Sequence, residues 1–221
     1  TSNTTTTLPG LGEQHSTSVT QSIALVQMSL DGADVKAEAT VCHVEVNTGS
    51  NLLTMSFSDT YIASLVPATY LFKVTEASPN YNLVMDDFVD VTGAKLDNPL
   101  TDTMPVDKND AKVWDQDNDT NPGIRIDCEG NIPLVFTGSG TIDVAARNIA
   151  DINITTVDSN KIFGAYNWTG EQVILQASNE ALTTEKTTVP DLANSNYTLV
   201  RIDNTYDCAK VKAEKDTLFG N

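Results

Sequence analysis

An acidic run near the middle of this sequence has the residue types and spacing of a cation site. The run reads Asp115-Gln116-Asp117-Asn118-Asp119-Thr120-Asn121-Pro122-Gly123. Its carboxylates occupy alternate positions, so a tight loop would direct three anionic oxygens at one point. Hard cations such as Ca²⁺ bind about six to eight oxygens. We therefore predict a structural Ca²⁺ site whose ligands are Asp115, Asp117, Asp119 and Asn121.

The acidic run follows the calcium loop of an EF-hand in its first half only. Thr120 stands where that loop has its sharp-turn Gly, and Ile126 stands where it has the closing Glu. The residues after the run have the pattern of a strand, which favours a structural cation over a catalytic one. A solvated acidic turn is the alternative interpretation, because three close carboxylates repel one another. The candidates for a closing carboxylate are Asp107, Asp110 and Asp127.

Residues suited to catalysis are sparse in this chain. Of its two histidines, His15 lies in the polar N-terminal segment and His43 lies on an alternating strand pattern. Asp86, Asp87 and Asp90 could supply a carboxylate pair for glycoside chemistry, but runs of Asp in an acidic chain are usually surface residues. No phosphate loop, dinucleotide fingerprint or nucleophile elbow occurs. We therefore predict that the protein is not an enzyme.

The charge of the chain excludes one class of partner. Its 30 Asp and Glu residues outnumber its 13 Lys and Arg residues, which gives a net charge of −17. Such a field repels nucleic acid and attracts divalent cations, so we expect no nucleic-acid partner. No stretch approaches the ~20 apolar residues of a membrane-spanning helix, so we expect no transmembrane helix.

Three cysteines limit the redox chemistry. Cys42, Cys128 and Cys208 are far apart and form no CxxC pair, which excludes zinc, iron–sulfur and haem sites of known spacing. In an oxidising compartment we expect one disulfide and one buried thiol. All three pairings remain open, and three reduced core cysteines are the alternative.

Alternating apolar residues predict a mainly β fold. The pattern indicates an antiparallel meander that forms a barrel or a sandwich of about 8–10 strands, with short helices near residues 59–66 and 206–218. Residues 19–221 are predicted to be a single β domain, with a long Asp- and Pro-rich loop region over residues 76–122. Residues 1–18 are predicted to be a flexible Thr- and Ser-rich tether. Such a tether commonly follows the lipid-modified Cys of a bacterial lipoprotein, and an ordinary flexible terminus is the alternative.

The second half of the chain resembles a group of exported proteins. The resemblance lies in three segments: Trp114-Asp-Gln-Asp-Asn-Asp-Thr-Asn-Pro-Gly-Ile124, Asn167-Trp-Thr-Gly-Glu-Gln-Val-Ile-Leu-Gln-Ala-Ser178, and Leu199-Val-Arg-Ile-Asp203 followed by Cys208 and Leu218-Phe219. These are similar to uncharacterised proteins, often predicted lipoproteins, of myxobacteria and related delta-proteobacteria. The resemblance covers roughly residues 113–219. It implies export, a lipid anchor and pairing of Cys208, and it implies no activity. Members usually have Asp-Gly where this chain has Asp119-Thr120.

Two functions follow as hypotheses. The first is a non-catalytic, Ca²⁺-stabilised β-barrel that binds a ligand or partner in the periplasm, on the outer-membrane surface or outside the cell. A barrel interior could enclose a small apolar ligand, with the lining residues Val44, Val46, Ile152, Ile154, Phe163 and Tyr166. The second is a homo-oligomeric structural subunit of a surface layer, filament or adhesive matrix, whose exposed strands pair with neighbouring copies.

Overall fold

The alternating stretches of the sequence form the strands of one large antiparallel sheet. A computed structural model describes residues 1–8, 12–49, 52–77, 80–132, 136–156, 160–183 and 186–220. Within them the strands are β1 (Ser2–Leu8), β2 (Gly12–Asp31), β3 (Asp34–Asn47), β4 (Leu53–Phe57), β5 (Ala68–Ala77), β6 (Asn80–Thr92), β7 (Ile124–Ile132), β8 (Phe136–Thr156), β9 (Lys161–Ala177), β10 (Lys186–Pro190) and β11 (Asn196–Val200). The predicted mainly β, antiparallel fold class is confirmed.

Short helices occur at the two places that the sequence predicts. They are α1 (Asp59–Ser64), α2 (Cys208–Ala213) and α3 (Lys215–Phe219). The Ser58 hydroxyl caps α1 by accepting a hydrogen bond from the Tyr61 amide at 3.1 Å, and the Asp207 carboxylate caps α2 in the same way. Single 3₁₀ turns lie at Glu180–Thr183 and Leu192–Asn194. Among the described residues, no helix has the length and apolar character that a membrane crossing requires.

Strand β8 is the centre of the sheet. The neighbours along the sheet run β10-β1-β2-β3-β5-β6-β8-β7-β4, while β9 pairs with β8 and β11 pairs with β9. The first part of β8, Phe136–Val144, pairs with β7, and the later part, Ala146–Thr156, pairs with β6. β9 lies along Ile142–Ile152 of the same strand. One long strand therefore holds three others in place.

The N-terminal segment differs from its prediction. Its described residues, 1–8 and 12–18, are not a flexible tether, because β1 and the first part of β2 form a hairpin, with Ser2 opposite Ser18. β1 also pairs with β10, with Ser2 opposite Pro190. The β-branched threonines of β1 suit a pleated strand. Their partner in β10 lies far along the sequence, so local composition alone suggested a tether.

The long loop is shorter than predicted. The sequence predicts loops over residues 76–122, but β5 continues to Ala77 and β6 occupies Asn80–Thr92. β6 pairs with β8 through a register shift between Met85 and Phe88, and its Leu83 and Met85 are buried. The Asn and Asp residues of β6 concealed this alternation. The irregular stretch runs from residue 93 to residue 123, and it is called the acidic loop below.

A disulfide joins β3 to α2. Cys42 and Cys208 are bonded across 166 residues, and Cys128 is a buried thiol in the core. The expected combination of one disulfide and one buried thiol is confirmed. The register between β2 and β3 shifts at Ile23 and Ala24, whose partners are His43 and Val41. Cys42 is therefore the extra residue of a β-bulge, a feature that re-aims side chains.

Candidate metal centre

The acidic loop begins and ends at the same place on the sheet. Gln116 is buried, and its side-chain oxygen accepts a hydrogen bond from the Gly93 amide at 2.9 Å. The backbone amide of Gln116 donates to the Gly123 carbonyl at 3.1 Å, and the backbone amide of Trp114 donates to the Gly93 carbonyl at 3.1 Å. Gln116 thereby joins the two ends of the loop. The carboxylates on either side of Gln116 are consequently fixed relative to the start of β7.

Two glycines allow the loop to lie against the backbone of β8. A Cβ added to Gly93 would approach the Val144 carbonyl oxygen to 2.4 Å, and one added to Gly123 would approach it to 2.3 Å. Both residues also have positive φ angles, of 70° and 85°, which glycine adopts without steric cost. The middle of the loop is held by Arg147, whose guanidinium donates to the Pro99 and Asp102 carbonyls at 2.7 Å each.

Three of the predicted ligands meet in one cluster. Asp115, Asp117 and Asp119 each offer a carboxylate oxygen, and these oxygens lie within 4.8 Å of one another. The carboxylate of Asp115 accepts hydrogen bonds from the Asp119 amide at 3.1 Å and from the Thr120 amide at 3.0 Å. These bonds wrap the backbone around the cluster, which the alternate spacing predicted. We call these three residues the Asp triad.

One oxygen of the triad is buried and receives no hydrogen bond from the described part of the chain. The Asp117 side chain is 5% exposed. Its Oδ2 accepts a hydrogen bond from the Arg125 amide at 3.1 Å, but its Oδ1 has no partner among the described residues. Burial raises the pKa of the Asp117 carboxyl; the Arg125 amide opposes this shift, and the charges of Asp119 and Asp115 add to it. A buried carboxylate oxygen needs a donor or a cation.

Arg125 links the triad to a buried carboxylate on β8. Its guanidinium donates to both oxygens of Asp143, with Nε to Oδ1 at 2.9 Å and the second contact at 3.2 Å. The same group lies 3.1 Å from Oδ2 of Asp119. Asp143 is 2% exposed, and the Gln176 amide also donates to it at 3.4 Å. The positive charge of Arg125 therefore offsets the negative charge of Asp119 in the triad and of Asp143 in the core.

No local sequence pattern singles out Arg125 or Asp143. The two residues are direct partners in the pairing of β7 with β8, and their spacing of 18 residues has no meaning until that register is known. The alternation of β7 was the available signal, since buried Ile124 and Ile126 leave Arg125 on the opposite face. A cross-strand pair of opposite charges is a stabilising arrangement in a sheet.

The candidates for a closing carboxylate do not join the cluster. Asp107 and Asp110 instead accept hydrogen bonds from backbone amides of their own turns, and Asp127 is exposed on β7 opposite Ser56. Asn121 lies beside the triad: its backbone amide donates to Asp119 Oδ1 at 2.8 Å. The additional oxygens of a cation shell would have to come from Asn121, from loop carbonyls or from water.

The remaining candidate residues lie apart from the triad. On β3, Nε2 of His43 lies 3.7 Å from Oε2 of Glu45. The His15 ring on β2 is hydrogen-bonded to the Thr5 hydroxyl on β1. Asp90 lies on β6, whereas the side chains of Asp86 and Asp87 are outside the described part of the chain. None of the described histidines belongs to a carboxylate cluster.

The six residues proposed to line a barrel interior do not form one group. Ile154 is buried and Ile152 packs beside it in a core cluster with Phe72, Leu83 and Met85. Phe163, in contrast, is exposed on β9. The isoleucines are therefore part of the packed core, whereas the Phe163 ring lies at the surface with the Lys161 ammonium 5.3 Å from its centroid.

Thr120 has a backbone conformation that is unfavourable for a residue with a β-branched side chain. Its φ angle is 71°, in the left-handed region that costs a non-glycine residue about 1–2 kcal/mol, and β-branched residues are especially rare there. We expect Thr120→Gly to raise the free energy of unfolding by about 0.5–1 kcal/mol, since relief of this strain exceeds the added chain entropy of glycine. Urea unfolding measures the change.

Thr120→Ala is the matched control for this prediction. Alanine also removes the hydroxyl and the branched methyl but keeps the Cβ that the left-handed region disfavours. Its gain should therefore be the smaller of the two. Equal gains from Gly and Ala would show that side-chain loss, and not the backbone conformation, is responsible.

Comparison with protein-family models, with curated proteins and with solved structures finds no match to this chain.

Proposed function

We propose that the protein is a non-catalytic, exported β protein that is stabilised by Ca²⁺ in the acidic loop and that binds a ligand or partner in the periplasm or at the cell surface. The observation that carries the calcium site is Oδ1 of Asp117, a buried carboxylate oxygen to which no described residue donates, beside two further carboxylates. A cation at this point would satisfy that oxygen and remove the repulsion within the triad.

The donor set favours a hard cation. All three side chains of the triad offer carboxylate oxygens, which suit Ca²⁺ and Mg²⁺ and not the softer metals that prefer sulfur or imidazole. Ca²⁺ accepts an irregular shell completed by carbonyls and water, whereas Mg²⁺ demands a near-ideal octahedron. Carboxylates and carbonyls from a single loop form an irregular ligand set, which favours Ca²⁺.

Two features support a structural role for the cation and export of the chain. The triad lies beside the Arg125–Asp143 pair, so a bound ion would fix the acidic loop against β7 and β8. The disulfide between Cys42 and Cys208 is typical of proteins in oxidising compartments. Attachment by an N-terminal lipid is part of the proposal only through the resemblance of residues 113–219.

The alternative function is a structural subunit of a surface layer, filament or matrix. The observation that favours it is the length of β2 from Val19 to Asp31, which pairs with β3 alone among the described strands. An open strand edge of this kind binds further strands.

The decisive experiment for calcium compares Asp117→Asn with Asp97→Asn. Asp97 is an exposed residue of the same loop, so the two variants lose the same charge. We expect Ca²⁺ to raise the melting temperature of the wild type and of Asp97→Asn, by an amount equivalent to about 2.7 kcal/mol at a concentration of 100 Kd. Asp117→Asn should lose this response. Calorimetric titration with Ca²⁺ and Mg²⁺ measures binding directly.

The response without metal separates a cation ligand from an ordinary structural residue. In chelator, Asp117→Asn should be at least as stable as the wild type, because it removes a buried charge with an unsatisfied oxygen. A residue needed only for loop structure would be destabilised equally with and without Ca²⁺. Absence of any calorimetric signal, with melting temperatures unchanged by chelator, would refute the calcium site.

A further inference from the structure

The later part of β2 has an open edge. Gly12–Ser18 pair with β1 and Val19–Asp31 pair with β3. The second edge of Val19–Asp31 has no ladder partner among the described strands. At ~3.3 Å per residue this open edge is about 40 Å long. Unpaired amides and carbonyls along such an edge are a template for another strand.

One face of this strand is apolar and exposed. Val26, Met28 and Leu30 alternate along β2, with exposures of 40%, 42% and 82%. Their partners on β3 are Ala39, Ala37 and Val35, in that order. Ala37 is part of the core cluster that contains Phe72 and Leu83, and Val35 packs against it. The three side chains therefore continue the apolar core face outward to the open edge.

The edge lacks the features that usually prevent strand addition. Exposed edge strands commonly carry Lys, Pro or a bulge that blocks pairing. Residues 19–30 contain no Lys, Arg, Asp, Glu or Pro, and the bulge at Cys42 lies on β3 and not on β2. On the opposite face of the sheet, by contrast, β3 carries the exposed ion pair of Lys36 with Glu38.

The charge of the protein favours a second copy as the occupant. Two chains of net charge −17 repel each other wherever their carboxylates approach. The neutral length of β2 is a long edge at which two copies can meet without opposing carboxylates. A charged partner would find no side chain there to pair with, whereas a strand that is neutral and apolar on one face is complementary to itself. Two-fold, antiparallel contact between identical strands closes a dimer.

We propose that Leu25–Asp31 of β2 pairs with the same residues of a second copy, which forms an antiparallel dimer with a sheet continuous through both chains. With Met28 opposite its own counterpart, Val26 lies opposite Leu30 of the second copy, so the exposed apolar side chains meet across the junction. The dimer depends on no property of the acidic loop, so it goes beyond the proposed calcium site and its test is separate.

The test is sedimentation velocity over a range of protein concentrations with two matched double variants. Met28→Glu with Leu30→Glu places like charges on the edge. Val66→Glu with Val106→Glu adds the same charge at two other exposed apolar residues, of 82% and 80% exposure. We expect the wild type and the Val66/Val106 variant to sediment as dimers, and the Met28/Leu30 variant to sediment as a monomer with an unchanged circular dichroism spectrum.

Hydrogen exchange supplies a readout that does not depend on the variants folding. In the wild type, amides of residues 25–31 that point to the open edge should gain protection as the protein concentration rises. A wild-type chain that stays monomeric at all concentrations overturns the proposal, as does a dimer that the Met28/Leu30 variant retains. Protection of these amides in a monomer would also overturn it, and would assign the edge to a segment of the same chain.

Discussion

Arg125→Met should lower the free energy of unfolding by about 3–5 kcal/mol, the usual cost of leaving a buried charge without its partner. Asp143 is 2% exposed and would lose both guanidinium contacts, at 2.9 and 3.2 Å. The Gln176 amide at 3.4 Å is a weaker donor and carries no charge. The methionine side chain retains the packing volume, so the loss reports mainly on the unpaired carboxylate.

Urea unfolding of four variants tests this prediction. Asp143→Asn should cost less than Arg125→Met, because Arg125 is 26% exposed and keeps its contact with Asp119. The double variant Arg125→Met with Asp143→Leu should recover most of the stability, since removing both charges leaves no buried ion. Arg201→Met, at an exposed arginine, is the control and should change stability by less than about 0.5 kcal/mol. A double variant as unstable as Arg125→Met alone would contradict the explanation.

Loss of the disulfide should be the second large effect. Replacing Cys42 and Cys208 together by serine should lower the free energy of unfolding by about 2–5 kcal/mol. The bond spans 166 residues, and the entropy that a cross-link removes from the unfolded chain increases with the size of the closed loop. It also joins α2 to the bulge of β3, so the C-terminal helices should separate from the sheet more readily without it.

Reduction of the wild type is the internal control for the disulfide. The reduced wild type and the Cys42/Cys208 double variant should have the same urea midpoint, and both should be below the oxidised protein. Cys128 is retained in every sample, so its buried thiol does not contribute to the difference. Equal midpoints for oxidised and reduced protein would show that the native fold, and not the cross-link, holds α2 against β3.

The Asp triad could be predicted because its residues are close in the sequence. The alternate carboxylates of Asp115, Asp117 and Asp119 meet through local backbone hydrogen bonds. Thr120, which stands where the EF-hand loop has glycine, has a φ angle of 71°. The partners from β8 could not be predicted, because Asp143 faces Arg125 only in one register of two strands. The Asp triad could therefore be predicted from the sequence, whereas the charged pair of Arg125 and Asp143 beside it could not.

The fold class followed from alternation, but pairing over long distances did not. Cys42 could be expected to form a disulfide, yet its partner depended on a bulge that turns one residue of β3 toward α2. The Thr-rich start of the chain has the same composition in a tether and in a strand. The pairing of β1 with β2 and with the distant β10 decides between them, and no local pattern describes a partner as far along the sequence as β10.

The pairing of β1 with β10 has a consequence for synthesis of the chain. Ser2 lies opposite Pro190, so β1 leaves the ribosome long before its neighbour is translated. At about 5–20 residues per second, the interval is roughly 10–40 s. The hairpin of β1 and β2 must stay soluble through that period with one edge bare. Its Thr and Ser side chains suit this delay, because a polar hairpin stays dissolved in water where an apolar hairpin would aggregate.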